Sequence, residues 1–559
     1  MLWFVLILFT HTTFGSRPTV IIKDGSLAGI QMQTWMGRNI SAFLGIPFAA
    51  PPTNGNRFLP PQPAAAWSGI RNAASMGPIC IQYTGNSSAE IIGNEDCLYL
   101  NVYTPILPWN GRNVSFPVLV YMHPGGYMMG TGNVFGPRYL LDYNLVLVTF
   151  NYRLGILGFL STEDSVVPGN MGLKDQVAVL RWVQLNIQAF GGNPQEVTIA
   201  GPSSGAASVQ LHYLSRVSRG LFKRGICLSG SSLMPLATMR APIYKNTRVA
   251  KALNCPYSSS SILVNCLRRI PAAELVFQES ILQYFYYTPV QVFGPTVERG
   301  GSQPFITRLP YEILRTGDIK DAPILFSSVT QEGLVPVAFF ITNTTGISYL
   351  SENWLEVFPY LLDYIYTTTS ANRNATSTKI YQYYFGNQPI SLATNQTLIK
   401  MVGDREFVND IETAARIQAF VQSSPVYFYR FSYRGQYSVT DFITGTNINF
   451  GVAHTDDTLY LSNNPYFPPS ENTPSDRAMI TVMSGLWASF VIQGIPRAGQ
   501  YTNWQPINRK TAMTGPFNYL MIASPSSIAL NQTITFGHPQ FWDNLPLNEP
   551  QSGRPTYSL

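Results

Sequence analysis

The chain has 559 residues, of which 45% are hydrophobic, 13% aromatic and only 12% Asp, Glu, Lys or Arg. Low charge with many aromatic side chains excludes intrinsic disorder, and a net charge of +6 without a dense basic stretch excludes a nucleic-acid footprint. An ordinary soluble domain carries roughly 25% charged residues, so this surface must draw polarity from another source.

The first predicted element is the apolar run of residues 2–9, followed by small residues at Thr13 and Gly15. This pattern predicts a signal peptide over 1–15 and hence export, since so short a run cannot span a bilayer. No later run reaches ~18 apolar residues and the C-terminus is polar, so no membrane anchor is expected. Residues 17–559 contain no Gly/Ser or Pro-rich linker, internal repeat or charge block, and one domain over 16–559 is expected. Seven Asn-X-Ser/Thr triplets, at Asn39, Asn86, Asn113, Asn343, Asn374, Asn395 and Asn531, are candidate glycosylation sites in an exported chain. Glycans there would supply the missing polarity. The five cysteines divide into Cys80/Cys97, Cys255/Cys266 and a lone Cys227, although sequence alone permits other pairings. Cys227 reads as a small buried hydrophobe. With no Cys/His cluster at ligand spacing, neither a metal nor a cofactor is expected.

Strands are predicted at Val118–Met122, Leu145–Phe150 and Val197–Ala200. Between the last two, Gly172–Ile187 carries apolar residues at Val177, Leu180, Val183 and Ile187, which is helical spacing. Apolar strands alternating with amphipathic helices imply an α/β architecture with a largely parallel sheet covered on both faces.

The third strand runs into Gly201-Pro-Ser-Ser-Gly205 and then a helix. This is G-x-S-x-G in the strand–turn–helix context where the serine is strained and exposed, so Ser203 is the candidate nucleophile. It needs a general base, and outside the leader there are four histidines. His212 is nine residues on along the same helix, about 900° of rotation, and faces away. His123 adjoins a glycine pair and reads as part of an anion-binding turn, while His538 adjoins Pro539. His454 remains, late in the chain where the order nucleophile, acid, base places it. The acid must orient the imidazole from a strand's carboxyl end. Glu332 follows the predicted strand Ala322–Val329 and fits; Asp404 and Glu406 follow no strand and suit a solvated role, and Asp456 and Asp457 lie too near His454 in sequence to be first choice, their expected role being to tune it from behind. Donors for a developing oxyanion are expected from the backbone of Gly125, Gly126 and Ser204, because His123-Pro-Gly-Gly126 follows a strand. The aromatic run Tyr284–Tyr287 is a candidate pocket lining.

Together these elements resemble the type-B carboxylesterase family, which includes cholinesterases, juvenile-hormone esterases and the non-catalytic neuroligins. Phe190–Gly205 is similar throughout to that family's nucleophile signature, and Glu95–Pro105 to its second signature; Gly45–Pro52 and Asn151–Leu160 are further landmarks. The resemblance, from about residue 18 to about residue 545, implies one large α/β-hydrolase domain, Cys80–Cys97 and Cys255–Cys266 disulfides, and a Ser203, Glu332 and His454 triad. Two departures stand out: Pro202 replaces the usual Glu or Gln before the nucleophile, and Pro124 the first oxyanion-turn glycine. The donors match the two glycines that follow, so Pro124 leaves them in place. The 81–96 loop lacks the tryptophan that contacts choline in cholinesterases, which argues against acetylcholine. The expectation is therefore a secreted serine carboxylesterase acting on small, uncharged lipophilic esters. The alternative is a neuroligin-like binding protein without turnover.

Overall fold

In the central strands, alternate side chains point to opposite faces of one sheet, and both sets are buried. In Phe116–Tyr121 (β4), Val118 and Val120 enter one core and Leu119 and Tyr121 the other. This two-sided burial explains why the strands read as continuous apolar runs. The computed structural model describes residues 17–85, 91–109, 113–499, 501 and 504–549. The expected leader and Asn86 lie outside them.

The sheet has eleven strands. In chain order they are Ile30–Gln33 (β1), Asn39–Pro47 (β2), Tyr99–Thr104 (β3), β4, Val146–Phe150 (β5), Gly192–Pro202 (β6), Arg224–Leu228 (β7), Ile324–Val329 (β8), Val426–Phe431 (β9), Phe517–Ser524 (β10) and Ser527–Thr533 (β11). Their spatial order is β11-β10-β9-β8-β7-β6-β4-β5-β3-β2-β1. The pairs from β10 across to β5 are parallel. The outer pairs are antiparallel, so the expected parallel sheet is the centre of a mixed one.

Met171–Asn186 (α1) covers one face through Val177, Leu180 and Val183. Pro474–Gln493 (α8) covers the other through Met479, Met483, Leu486 and Trp487. Ser204–Leu214 (α2) follows β6 directly. Five further helices matter below: Leu334–Ile341 (α3), Thr344–Leu361 (α4), Ser370–Tyr384 (α5), Asn395–Gly403 (α6) and Asn409–Val421 (α7). Helices α3, α4 and α6 build a third apolar cluster beside the carboxyl end of β8. Among the described residues no single helix is long and apolar enough to cross a membrane.

The predicted strands and the helix over 172–187 are present with small shifts of their ends. Strand β6 starts five residues earlier than expected, because Gly192 pairs with Phe116 before a register shift that precedes Val197. Disulfides join Cys80 to Cys97 and Cys255 to Cys266, and Cys227 is free and buried.

Candidate active site

Strands β6, β7 and β8 are neighbours, and their carboxyl ends carry the candidate chemistry, as parallel α/β sheets generally place it. Ser203 lies between β6 and α2 with φ 57° and ψ −124°, a conformation rare for a residue with a side chain. Packing over-determines that strain. The Ser203 N–H donates to the Leu228 carbonyl (2.8 Å), and its own carbonyl accepts from Ala207 N–H (2.9 Å). A Cβ at Gly201 or Gly205 would overlap the Met122 carbonyl oxygen, and one at Gly230 the Ser203 carbonyl oxygen. The glycines therefore let the end of β4, the turn after β7 and the first turn of α2 close around the serine.

Glu332 is buried three residues past β8. Its Oε1 accepts from the Val329 N–H (2.8 Å) and its Oε2 pairs with His454 Nδ1 (2.6 Å). The imidazole is therefore fixed with Nε2 directed away from the carboxylate. Nε2 is buried without a hydrogen-bond partner, and none joins it to Ser203 Oγ. The Phe407 ring packs on the imidazole at 4.4 Å.

The turn after β4 is equally constrained. His123 is buried, stacks on Tyr152 (4.2 Å), and its Nδ1 pairs with the Pro124 carbonyl (2.8 Å), while Tyr152 Oη donates to the His123 carbonyl (3.0 Å). Burial pushes His123 down to about 4, so it is neutral at physiological pH. His123 thus belongs to the expected turn as a neutral, internally bonded ring that braces it, and not as a charged group facing an anion. Gly125 and Gly126 both have positive φ, and a Cβ at Gly125 would overlap the Met129 carbonyl oxygen. Their N–H groups make no hydrogen bond among the described residues. Ser204 opens α2, where the first N–H groups have no intrahelical acceptor.

The other histidines serve packing. His212 is buried between Ser218 and Gln176, and His538 meets Tyr383 at the surface. The solvated reading of Asp404 and Glu406 is overturned. A π-helical turn over Asp404–Val408, between α6 and α7, buries Asp404 and half-buries Glu406, whose Oε1 is sealed from solvent. Asp404 accepts from Tyr384 Oη and Lys400. Glu406 is held well above the usual carboxylate range by burial and by the nearby Asp363 charge.

Sequence reasoning missed Gln331, which helps to seat His454, whereas it places Asp456 and Asp457 behind the histidine as residues that tune it. Gln331 donates its N–H to the Val452 carbonyl (3.1 Å), and its Oε1 accepts from Val452 N–H (2.8 Å), lacing the histidine loop to the glutamate loop. Asp456 accepts from the Ala453 and Val439 N–H groups (2.8 Å each), and Asp457 from Tyr429 Oη (2.8 Å). Burial pushes both up to about 7. Gln82, inside the first disulfide loop, exchanges hydrogen bonds with the backbone of Gly130 and steadies the glycine turn. A glutamine on a short strand carries no sequence signal for such a task. The Tyr284–Tyr287 run divides: Phe285 is buried against Phe340, Tyr284 and Tyr286 are exposed, and Tyr287 packs against Gly85 and Phe339. A little further on, Val290 approaches Gly126, 3.2 Å from where a Cβ would stand. No group of His, Cys, Asp and Glu among the described residues is arranged to hold a metal.

The model of the carboxylesterase family matches residues 16–542. The chain belongs to the carboxylesterase family. It is 39% identical over 537 residues to a carboxylic ester hydrolase of Bombus ignitus, covering 95% of each chain. It is 37% identical over 536 residues to venom carboxylesterase-6 of Apis mellifera, again covering 95% of each. In three dimensions it resembles the juvenile hormone esterase of Manduca sexta with OTFP covalently attached, at a TM-score of 0.82 and 26% identity, covering 95% of this chain and 99% of that one. This carboxylesterase thus has the α/β-hydrolase fold, and ester hydrolysis is the chemistry its family supports.

Proposed function

We propose that this carboxylesterase is an exported serine hydrolase that cleaves uncharged lipophilic esters through an acyl-enzyme on Ser203. The observation that carries the reading is the buried Glu332–His454 pair, with Nε2 unpartnered, set two strands from a strained serine. In this reading His454 Nε2 takes the Ser203 proton as Oγ attacks the ester carbonyl, and Glu332 stabilises the imidazolium. The N–H groups of Gly125, Gly126 and Ser204 receive the oxyanion. His454 then protonates the leaving alcohol, and a water deacylates the serine.

Apolar neighbours support the substrate class: Val290 borders Gly126 and Phe407 covers His454. The covalent attachment of OTFP to the Manduca sexta esterase supports a nucleophile in this fold. Export rests on the apolar run of residues 2–9, with a venom carboxylesterase among the relatives as support. Glycans on the candidate asparagines follow from export.

Hydrolysis of a short-chain p-nitrophenyl ester tests the reading. Ser203→Ala is expected to lower kcat by about 10⁶, the scale set by removing a triad nucleophile. An unchanged rate in that variant overturns the assignment. Stoichiometric labelling of Ser203 by an organophosphate is expected in the wild type, and its absence from folded protein returns the chain to the non-catalytic, neuroligin-like alternative.

A further inference from the structure

The end of the sheet opposite Ser203, at the amino ends of β4 and β6, carries an open groove of about 950 Å³. Its walls come from the strand Thr19–Ile22, the loop before β4 and the carboxyl end of α1. Three large apolar side chains are left in solvent there: Ile21 is 77% exposed, Trp109 72% and Leu185 66%. Large apolar side chains exposed around one groove call for something to cover them. Gln188 and Ser115 on the same lining are exposed and polar.

Asn113 lines this groove and begins Asn113-Val-Ser115. The other described acceptor asparagines are built into secondary structure. Asn39 opens β2, Asn374 lies within α5, Asn395 begins α6, and Asn531 lies in β11. Asn343 caps α4, its Oδ1 accepting from Thr345 and Gly346 N–H groups and its Nδ2 donating to Tyr286 Oη. Asn113 stands in a loop outside any helix or strand. Among the described residues its carboxamide makes no hydrogen bond.

We propose that Asn113 carries an N-linked glycan whose first sugars lie in this groove, with the apolar face of a pyranose against the Trp109 ring. The occupant is tethered at the groove itself, which removes the entropic cost of recruiting a separate ligand. A sugar ring presents C–H groups on one face, which suit an indole, and hydroxyls at its edge, which suit Gln188 and Ser115. In the attachment step Asn113 Nδ2 attacks C1 of a lipid-diphosphate-linked oligosaccharide. The N–C1 bond forms, the C1–O bond to the diphosphate breaks, the lipid diphosphate leaves and one amide proton is lost. The glycan then covers apolar surface at the end of the sheet remote from the carboxyl ends that bear Ser203 and Glu332, leaving the active site open.

The inference rests on the export reading, and its test separates the two. The full chain is secreted from a eukaryotic host and its glycopeptides are mapped by mass spectrometry. The folded protein is then digested with a peptide-N-glycosidase. Asn113 is expected to be occupied, and its glycan to be released about tenfold more slowly than those on the other occupied sites, because release waits on local opening. In Trp109→Ala the difference is expected to vanish while kcat/KM is unchanged, which shows that the fold is intact. An unmodified Asn113 beside occupied neighbours overturns this inference alone, as does release at the common rate. A secreted chain with no glycans overturns it while leaving export standing, and a chain that is not exported overturns both.

Discussion

Ser203 is held in a backbone conformation that costs on the order of 1–3 kcal/mol for a non-glycine residue, and it persists because three glycines admit the backbones that clamp it. The same logic makes Gly125 intolerant of a side chain. Gly125→Ala must displace the Met129 carbonyl and turn its own N–H away, so a fall of about 10²–10³ in kcat is expected, the cost of one oxyanion donor. A circular-dichroism spectrum of that variant checks that the fold survives. Asp457 offers a test of a different kind. Its carboxyl titrates near 7 in the folded protein, raised by burial, against about 3.9 when unfolded. The folded state therefore binds the proton more tightly, and the stability this contributes is fully present below pH 4 and lost as pH rises towards 7. Asp457→Asn is expected to flatten that decline and to exceed the wild type by on the order of 2 kcal/mol at pH 8, as read by denaturant unfolding across pH. A variant less stable than the wild type at pH 8 would show that the carboxylate's bond with Tyr429 outweighs its burial.

At the scale of elements, the loops of the candidate active site are positioned by ties that run between segments distant in sequence. The histidine loop is held to the glutamate loop through Gln331 and Val452, and Gly451 leaves room for the Gln331 side chain. Gln331→Ala is expected to lower kcat about tenfold with little change in KM, because a half-buried hydrogen bond worth about 1 kcal/mol no longer helps to orient His454. An equal loss in a steady-state assay of KM alone would indicate damage to the binding walls instead. Asn343 caps α4 with two accepted hydrogen bonds, and Asn343→Ala is expected to cost about 1 kcal/mol in thermal or denaturant unfolding. Its bond to Tyr286 also anchors the aromatic segment to α4. That segment was legible as aromatic, but its division between core and surface was not. Four consecutive aromatic residues carry no periodicity to say which of them point inward.

Over the whole molecule, part of the small charge complement is spent on buried networks. Arg153 and Asp175 are joined by two side-chain hydrogen bonds, and both are almost fully buried. Breaking one partner of such a pair leaves an uncompensated buried charge, so Asp175→Leu is expected to destabilise the protein by about 3–5 kcal/mol in denaturant unfolding. Arg405 reaches Glu549 near the end of the described chain, and Asp363 beside it is pushed up to about 6 by burial. The buried Asp404 and the half-buried Glu406, with its Oε1 sealed from solvent, belong to the same interior. Their sequence context, a charged stretch after an amphipathic helix, resembles a solvated face, and only the helices packed around the π-helical turn bury it.

What the sequence by itself determined was local: apolar runs that become strands covered on both faces, the helical period of α1, and the glycines around Ser203. Those follow from short-range sterics and burial, which a window of a few residues contains. The small number of histidines also narrowed the candidates until His454 remained, and its partner Glu332 followed from the strand before it. Only the tertiary structure decided that these two, 122 residues apart, share a 2.6 Å hydrogen bond. It alone decided that His123 is a neutral brace, and that Gln82 and Gln331 tie the loops. Such pairings are made by chain segments meeting at the carboxyl ends of neighbouring strands, and sheet order is a non-local property that residue type and spacing do not carry.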